Sequence, residues 1–232
     1  MVKIKALNNF VIFEDIIEEE VENEFGLKLA EQAQKRPRWG TVISVGEGVA
    51  DYNGRLIPVD TEPGDTIYVA AHGKEPIMIN QLLNLPELVD ELGYDDLDEK
   101  ELDDMVSKGK ALSTASILDV FGKVNLESLD FTPFGDFVVI EKIEPPKFQG
   151  DILLADSQRK LAAFGRVLKL GLGWRTADGY ENTFQCKEGD IIYYLPHATQ
   201  IVDYATIGHN KKLHLIKHGN ILGVLEKKNE SV

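Results

Sequence analysis

Few residues in this sequence have the types and the spacing that catalysis or metal binding requires. The histidines are scattered along the chain, at His72, His197, His209, His214 and His218. His214 and His218 are four residues apart, but they fall in a predicted strand and turn, whereas side chains at that spacing meet only on a helix. No Ser/His/Asp or paired-carboxylate arrangement can be read from the spacing. The sequence therefore predicts a protein that is not an enzyme and that holds no metal and no cofactor.

Two further features that could support chemistry are better explained by structure. Cys186 is the single cysteine, so neither an intramolecular disulfide nor a cysteine-based metal site can form, and we expect a half-buried strand residue. Gly46-Glu47-Gly48 and Gly171-Leu172-Gly173 lack the following helix that a dinucleotide site needs. These glycines are therefore interpreted as turn residues.

The residues best suited to binding form two short apolar clusters, each behind a glycine in a polar segment. Gly150 and Asp151 precede Ile152, Leu153 and Leu154, and Gly26 precedes Leu27, Lys28 and Leu29. In an extended chain Leu27 and Leu29 point the same way, so both could enter a groove while Lys28 stays in water. The alternative is that the two leucines pack back onto their own sheet.

The segment that carries the first cluster, residues 14–38, is acidic and then basic, with few apolar residues. Such a segment cannot bury enough surface to offset its ordering entropy, so we expect it to be mobile when free.

An internal repeat positions both clusters. Three pairs of positions are separated by 125 residues: 29 and 154, 40 and 165, 46 and 171. Asn53-Gly54 recurs at the same distance as Asp178-Gly179, and both dipeptides are typical of type I′ hairpin turns. The apolar run at 10–13 recurs at 137–140. The chain is thus predicted to contain the same structural unit twice.

Each repeat is rich in short β-forming runs separated by Gly, Pro and Asn, which is typical of a small β-barrel. Predicted strands in the first repeat lie at 10–13, 39–46, 66–69 and 76–79, and in the second at 137–140, 212–216 and 221–225. Between the repeats the pattern changes to an acidic stretch with possible short helices at 102–106 and 115–121, the latter stopped by Gly122. The acidic run is interpreted as a solvated linker, and the alternative is a helical insert that sets the distance and angle between the two halves. The predicted organisation is a first β-barrel domain at 1–94, an acidic, partly helical linker at 95–130 and a second β-barrel domain at 131–232.

Composition restricts the partners. The formal net charge of −14 argues against nucleic acid, which needs a basic surface. No stretch approaches the roughly 20 apolar residues of a membrane span, and the first ten residues lack the apolar core of a signal peptide. We therefore expect a cytoplasmic protein with no membrane partner.

Each repeat resembles the GroES family, the chaperonin-10 co-chaperonins, in its tandem double-domain form. The likeness is carried by the ordered set of motifs at family-like spacing, and no single motif is specific. In the first repeat these are Phe10–Phe13, Gly26–Leu29, Gly40–Gly46, Asn53-Gly54 and Pro63-Gly64-Asp65; in the second they are Phe137–Ile140, Gly150–Leu154, Gly165–Gly171, Asp178-Gly179 and Glu188-Gly189-Asp190. Lys28 and the long acidic stretch depart from the family pattern. Because no transit peptide precedes the first repeat, a bacterial or bacteriophage-encoded member fits better than a chloroplast one, and the host cytoplasm would then be the location.

The resemblance implies two irregular β-barrels in tandem, each with a mobile loop and a roof hairpin, near 48–58 and 173–183. It also implies a ring-shaped homo-oligomer that caps a GroEL-type chaperonin and encloses unfolded client proteins in an ATP cycle run by that partner. The implied chaperonin-binding residues are Gly150, Ile152, Leu153, Leu154, Gly26, Leu27 and Leu29, and the implied roof turns are Asn53, Gly54, Asp178 and Gly179.

The family's partner ring offers seven grooves, whereas this chain has two loops. Either one loop docks and the other repeat serves as an extra layer, or the ring closes with broken symmetry. We favour the first arrangement, with the wholly apolar Ile152-Leu153-Leu154 as the docking element. The alternative function is a structural or assembly β-protein, such as a virion component, whose loops bind neighbouring subunits.

Overall fold

A computed structural model describes residues 4–16, 39–50, 53–70, 73–77, 112–143, 148–149, 152–153, 163–175 and 181–225. The chain divides into two compact units, Met1–Asp130 and Phe131–Val232. Both are built from antiparallel strands, and the only helical elements among the described residues are short 3-10 turns, at Ile117–Asp119, Pro196–Ala198, Ala205–Ile207 and His218–Asn220. The mostly-β fold class is confirmed.

Within its described residues the first unit contains eight strands, and a ninth crosses the division between the units. They are β1 (Phe10–Asp15), β2 (Trp39–Val45), β3 (Val49–Ala50), β4 (Leu56–Ile57), β5 (Thr66–Val69), β6 (Lys74–Pro76), β7 (Leu112–Ser116), β8 (Val120–Asn125) and β9 (Asp130–Pro133). Six of the eight strands of the first unit lie in one sheet, in the order β6-β7-β1-β2-β5-β8, and β3 pairs separately with β4.

The second unit repeats this set. Its strands are β10 (Phe137–Ile143), β11 (Phe148–Gln149), β12 (Ile152–Leu153), β13 (Ala163–Leu170), β14 (Trp174–Arg175), β15 (Glu181–Asn182), β16 (Ile191–Tyr194), β17 (Gln200–Asp203), β18 (Lys212–Lys217) and β19 (Ile221–Val224). The main sheet has the order β17-β18-β10-β13-β16-β19, while β11 pairs with β12 and β14 with β15.

The repeat extends to strand register. The β1–β2 ladder shifts register between Ile12 and Phe13, and the β10–β13 ladder shifts between Val139 and Ile140. These positions are equivalent under the 127-residue offset of the two strands. A bulge inserts an extra residue and bends its strand, so its recurrence at the same place gives both sheets the same local curvature.

The pairing of β7 and β8 corrects the prediction that residues 95–130 are a linker between the two domains. Phe10 pairs with Ser116 as Phe137 pairs with Lys217, and Tyr68 pairs with Gly122 as Tyr193 pairs with Gly223. Equivalent residues of the two repeats are therefore 125 positions apart from β2 to the end of β6 but only 101 positions apart in β7 and β8. The first repeat thus contains 24 additional residues. Those residues are an insertion inside the first unit, between β6 and β7.

One element prediction is wrong and the bounds of another differ. Residues 115–121 form the end of β7, a 3-10 turn and the start of β8, because they fill the two sheet positions that the first unit otherwise lacks. Among the described residues the last strand before the insertion is Lys74–Pro76, which shares only Pro76 with the predicted strand at 76–79, and residues 78 and 79 lie outside the described residues. The predicted helix at 102–106 lies outside the described residues, as does most of the acidic stretch.

The core of each unit consists of the inward-facing residues of its sheet. In the second unit Val138, Ile140, Val167, Ile192 and Ile216 are buried together, with Cys186 against them. Cys186 is fully buried in a bend, not half-buried in a strand, and burial raises the pKa of its thiol, with the charge of Asp190 adding to the shift. That thiol is therefore suited to packing.

The Gly-x-Gly motifs are turn residues, as predicted, and the fold explains why. Gly46 donates its N–H to Phe10 O and Gly48 donates to Asn8 O, at 2.9 and 2.8 Å. A Cβ at Gly46 would clash with the carbonyl oxygen of Asn8, and Gly48 has φ +103°. In the second unit Gly171 and Gly173 donate in the same way to Phe137 O and Gly135 O.

We predict that Gly40→Ala destabilises the first unit more than Gly165→Ala destabilises the second. A Cβ at Gly40 would clash with the buried ring of Phe13, whereas at Gly165 the nearest atoms lie 3.2 Å away. Gly40→Ala should lower the free energy of unfolding by about 1–3 kcal/mol, the usual cost of overpacking. Chemical denaturation of both variants measures this, and equal losses would contradict the prediction.

Candidate docking site

Each predicted docking loop begins and ends on neighbouring strands of one sheet. The first loop connects β1 to β2, and its last paired residues are Asp15 and Gly40, beyond which Ile16 N–H donates to Trp39 O at 2.9 Å. The second loop connects β10 to β13, whose last pair is Ile143 and Phe164. The ladders therefore hold the two ends of each loop a strand spacing apart.

An aromatic pair packs where each loop returns to its sheet. Trp39 is fully buried, and its ring lies 4.6 Å from that of Tyr68 on β5, centroid to centroid, at 58°. Phe164 and Tyr193 repeat the pair at 5.3 Å and 37°. Tilted rings at these distances add to the burial energy and fix the returning strand. Sequence reasoning missed both pairs, although aromatic residues recur at both positions under the 125-residue offset.

The tip of the second loop contains two short paired strands. Phe148 pairs with Leu153 and Gln149 pairs with Ile152, so that Gly150 and Asp151 are the two residues between the paired positions. Gly-Asp is among the dipeptides favoured in two-residue hairpin connections. Ile152 and Leu153 are thus in extended backbone. The other predicted binding residues, Gly150, Leu154, Gly26, Leu27 and Leu29, lie outside the described residues, and their role stays a prediction.

Hairpins occupy the predicted roof positions in both units. Val49 pairs with Ile57 in the first, and Trp174 pairs with Asn182 in the second, again at an offset of 125. The innermost pairs, Ala50–Leu56 and Arg175–Glu181, enclose five residues, so the connection is longer than the two residues of a type I′ turn. Gly54 has φ +75°, while Asp178 and Gly179 lie outside the described residues.

The loop root of the second unit carries a histidine with an unusual environment. His214, on β18, pairs with Ile140, and its Nδ1 is buried without a hydrogen-bond partner in the structure. Burial, and to a lesser extent the charge of Lys142, lower the pKa of His214 below its usual value of 6.5. Its neutral form is therefore the one that the folded protein favours.

The other histidine of the pair has a different role. His218 Nε2 accepts a hydrogen bond from Gln185 N–H at 3.2 Å, and its ring makes an edge contact with Phe184. Among the residues that the structure describes, no group of three or more His, Cys, Asp or Glu side chains could hold a metal ion. Within the same residues, no helix is long and apolar enough to cross a membrane.

The fold and the loops define a class: a tandem β-protein in which each unit presents a long loop from paired strands beside a separate hairpin. Comparison with known proteins gives the family. The model of the chaperonin 10 Kd subunit family matches residues 3–82 and 130–225, so the chain belongs to this family and contains two copies of its domain. The first match ends at 82, before β7 and β8, which complete the sheet of the first unit.

Similar proteins include several named co-chaperonin GroES. That of Methylacidiphilum infernorum is 33% identical over 78 residues, covering 34% of this chain and 78% of the relative. That of Rhodococcus erythropolis is 36% identical over 72 residues, 31% of this chain and 72% of the relative. That of Halalkalibacterium halodurans is 31% identical over 94 residues, 40% of this chain and 96% of the relative. Each of these matches therefore covers well under half of this chain but most of the relative.

We predict that His214 makes the second unit less stable as pH falls. The unfolded chain takes up a proton near pH 6.5 that the folded unit resists, so the free energy of unfolding should decrease between pH 7 and pH 5. His214→Gln should reduce this decrease, and His209→Gln, the same change at an exposed position, serves as the control. Denaturation at both pH values tests this, and an unaltered pH dependence in His214→Gln would contradict it.

Proposed function

We propose that this protein is a co-chaperonin that caps the ring of a GroEL-type chaperonin and encloses unfolded clients there, in the cytoplasm, during an ATP cycle run by the partner. The observation that carries the proposal is the duplicated unit itself. Two sheets of the same register each present a loop from paired strands, in a chain whose relatives are named co-chaperonin GroES. The apolar tripeptides Leu27-Lys28-Leu29 and Ile152-Leu153-Leu154 would be the docking elements.

The proposed mechanism is binding and release, without covalent chemistry. A loop that gains a small apolar contact and loses conformational freedom on docking binds weakly by itself. Several such loops on one rigid assembly make later contacts intramolecular, which can raise avidity by roughly 10²–10⁴. Weak individual contacts also allow the whole cap to leave when nucleotide changes the partner's grooves.

The second loop is the better candidate for the main docking element. Its tripeptide is wholly apolar, and Ile152 and Leu153 already form paired extended backbone with Gln149 and Phe148. A loop tip that is partly ordered before binding loses less entropy on docking, so more of its contact energy appears as affinity.

Assembly into a ring is supported by the edge of the second sheet. Within the described residues β19 has one strand neighbour, β16, and lies at the end of the sheet. Leu222 and Val224 on β19 and Leu225 just after it are 53%, 36% and 52% exposed. An apolar strand at the end of a sheet has one edge that is not paired, and this edge favours pairing with a strand of another chain. Further copies of this protein are the proposed partners.

A first prediction concerns the partner. Immobilised protein should retain a GroEL-type chaperonin in the presence of ATP and release it when nucleotide is removed, because the cycle changes the docking grooves. Pull-down with and without ATP measures this. Retention that does not depend on nucleotide, or no retention at all, would instead favour a structural or assembly protein.

A second prediction concerns the two loops. Leu153→Ser with Leu154→Ser should weaken chaperonin binding by roughly tenfold or more, since two apolar anchors are lost and the effect is multiplied over the ring. Leu27→Ser with Leu29→Ser, the matched change in the first loop, should have a smaller effect. Titration of each double variant against the chaperonin gives the comparison, and equal losses would contradict the ranking of the loops.

A further inference from the structure

A buried ion pair lies at the root of the first loop. Lys74 Nζ is 2.7 Å from Asp15 Oδ1, and both side chains are 9% exposed. The hydroxyl of Ser113, itself 1% exposed, donates to Asp15 Oδ2 at 2.8 Å. The carboxylate is thus held at both oxygens by groups from two other strands.

The three residues connect the loop to the insertion. Asp15 is the last residue of β1, the strand that enters the first loop, whereas Lys74 and Ser113 lie on β6 and β7, the strands that flank the insertion. Glu14 pairs with Leu112, and Ile77 N–H donates to Leu112 O at 2.9 Å. The first loop and the insertion therefore leave the first unit from the same end of its sheet.

The second unit has different chemistry at the same register positions. Under the offsets of their strands, Asp15 corresponds to Lys142, Lys74 to Thr199 and Ser113 to His214. Lys142 is exposed, and its charge lowers the pKa of His214 instead of pairing with it. No acidic group stands at these three positions, so the ion pair belongs to the first unit alone.

Stability by itself does not explain the pair. Removing two charges from water offsets most of their attraction, and an apolar pair of similar size is often as stabilising. A hydrogen-bonded ion pair also fixes the relative orientation of the strands that carry it, since the carboxylate must meet the ammonium and the hydroxyl at fixed geometry.

We propose that Asp15, Lys74 and Ser113 are positioning residues that fix the exit of the first loop relative to the strands of the insertion. Docking by the first loop then depends on this cluster, whereas docking by the second loop does not. The docking part of this inference rests on the proposed function; the ordering of the loop root does not.

The ordering is measured without a partner, by hydrogen exchange of the Ile16 amide, the last backbone hydrogen bond before the loop. Asp15→Asn should speed that exchange by roughly tenfold or more, because it leaves a buried ammonium without its counter-charge. The apolar double variant Asp15→Leu/Lys74→Met should recover the unfolding midpoint of the unit but not the slow exchange, because apolar contacts lack direction. Ser113→Ala should speed the exchange without unfolding the unit.

The matched control is the ion pair between Lys123 and Asp65, 2.8 Å apart in the same unit and involving neither β1 nor β6. Asp65→Asn should leave Ile16 exchange unchanged. If Asp65→Asn speeds the exchange as much as Asp15→Asn, or if the apolar double variant restores slow exchange, the cluster is structural only and the inference is wrong.

Docking is tested with the chaperonin in two backgrounds. With the second loop disabled by Leu153→Ser/Leu154→Ser, Asp15→Leu/Lys74→Met should weaken binding by roughly tenfold; with the first loop disabled by Leu27→Ser/Leu29→Ser, it should change binding by less than about twofold. Equal losses in the two backgrounds would overturn the positioning role. If the unmodified protein binds no chaperonin, the proposed function fails, whereas the exchange result still decides whether the cluster orders the root.

Discussion

The pairing of β1 with β2, and of β10 with β13, is the constraint on which the rest of each unit depends. These ladders place the two ends of a loop of some twenty residues next to each other, with a bulge at the same place in both. They leave no space for a side chain where Gly40 crosses Phe13, and they bring Gly46 and Gly171 against the preceding turn. Fixed ends reduce the conformations that a loop can adopt, so in the proposed docking the scaffold would contribute to affinity without contacting a partner.

The two units share this scaffold and differ at the loop roots. The first encloses a full indole–phenol pair and a hydrogen-bonded ion pair, whereas the second has a more open aromatic pair and a histidine whose Nδ1 is buried without a hydrogen-bond partner in the structure. Charge is divided unequally as well: residues 1–130 contain 27 acidic and 12 basic side chains, residues 131–232 contain 12 and 13. The divergence is consistent with one loop serving as the main docking element.

The insertion shows how a sheet tolerates additional chain. The 35 residues between Pro76 and Leu112 replace the 11 residues between the equivalent Ile201 and Leu213, a difference of 24, yet β6 and β7 retain the register of their counterparts. Loop closure becomes only slowly more costly with length, so such an insertion is tolerated where both flanking strands are already paired. Because β7 and β8 come after it, the acidic stretch is part of the first unit and does not act as a spacer between the two.

The sequence by itself determined the duplication, the β class and the hairpin positions, because Gly, Asn-Gly and Asp-Gly have local conformational preferences that recur at one offset. Local pattern could not predict the structure of residues 115–121, which have helical spacing of apolar residues. They form parts of β7 and β8 because the sheet of the first unit needs these two strands. Local pattern could not show that the insertion lies within the first unit, since that depends on which distant strands pair. Nor could it bring Asp15, Lys74 and Ser113 together, because they are up to 98 residues apart and meet only through strand register. The tertiary structure decided these points, since pairing between distant strands fixes position in a way that neighbouring residues cannot.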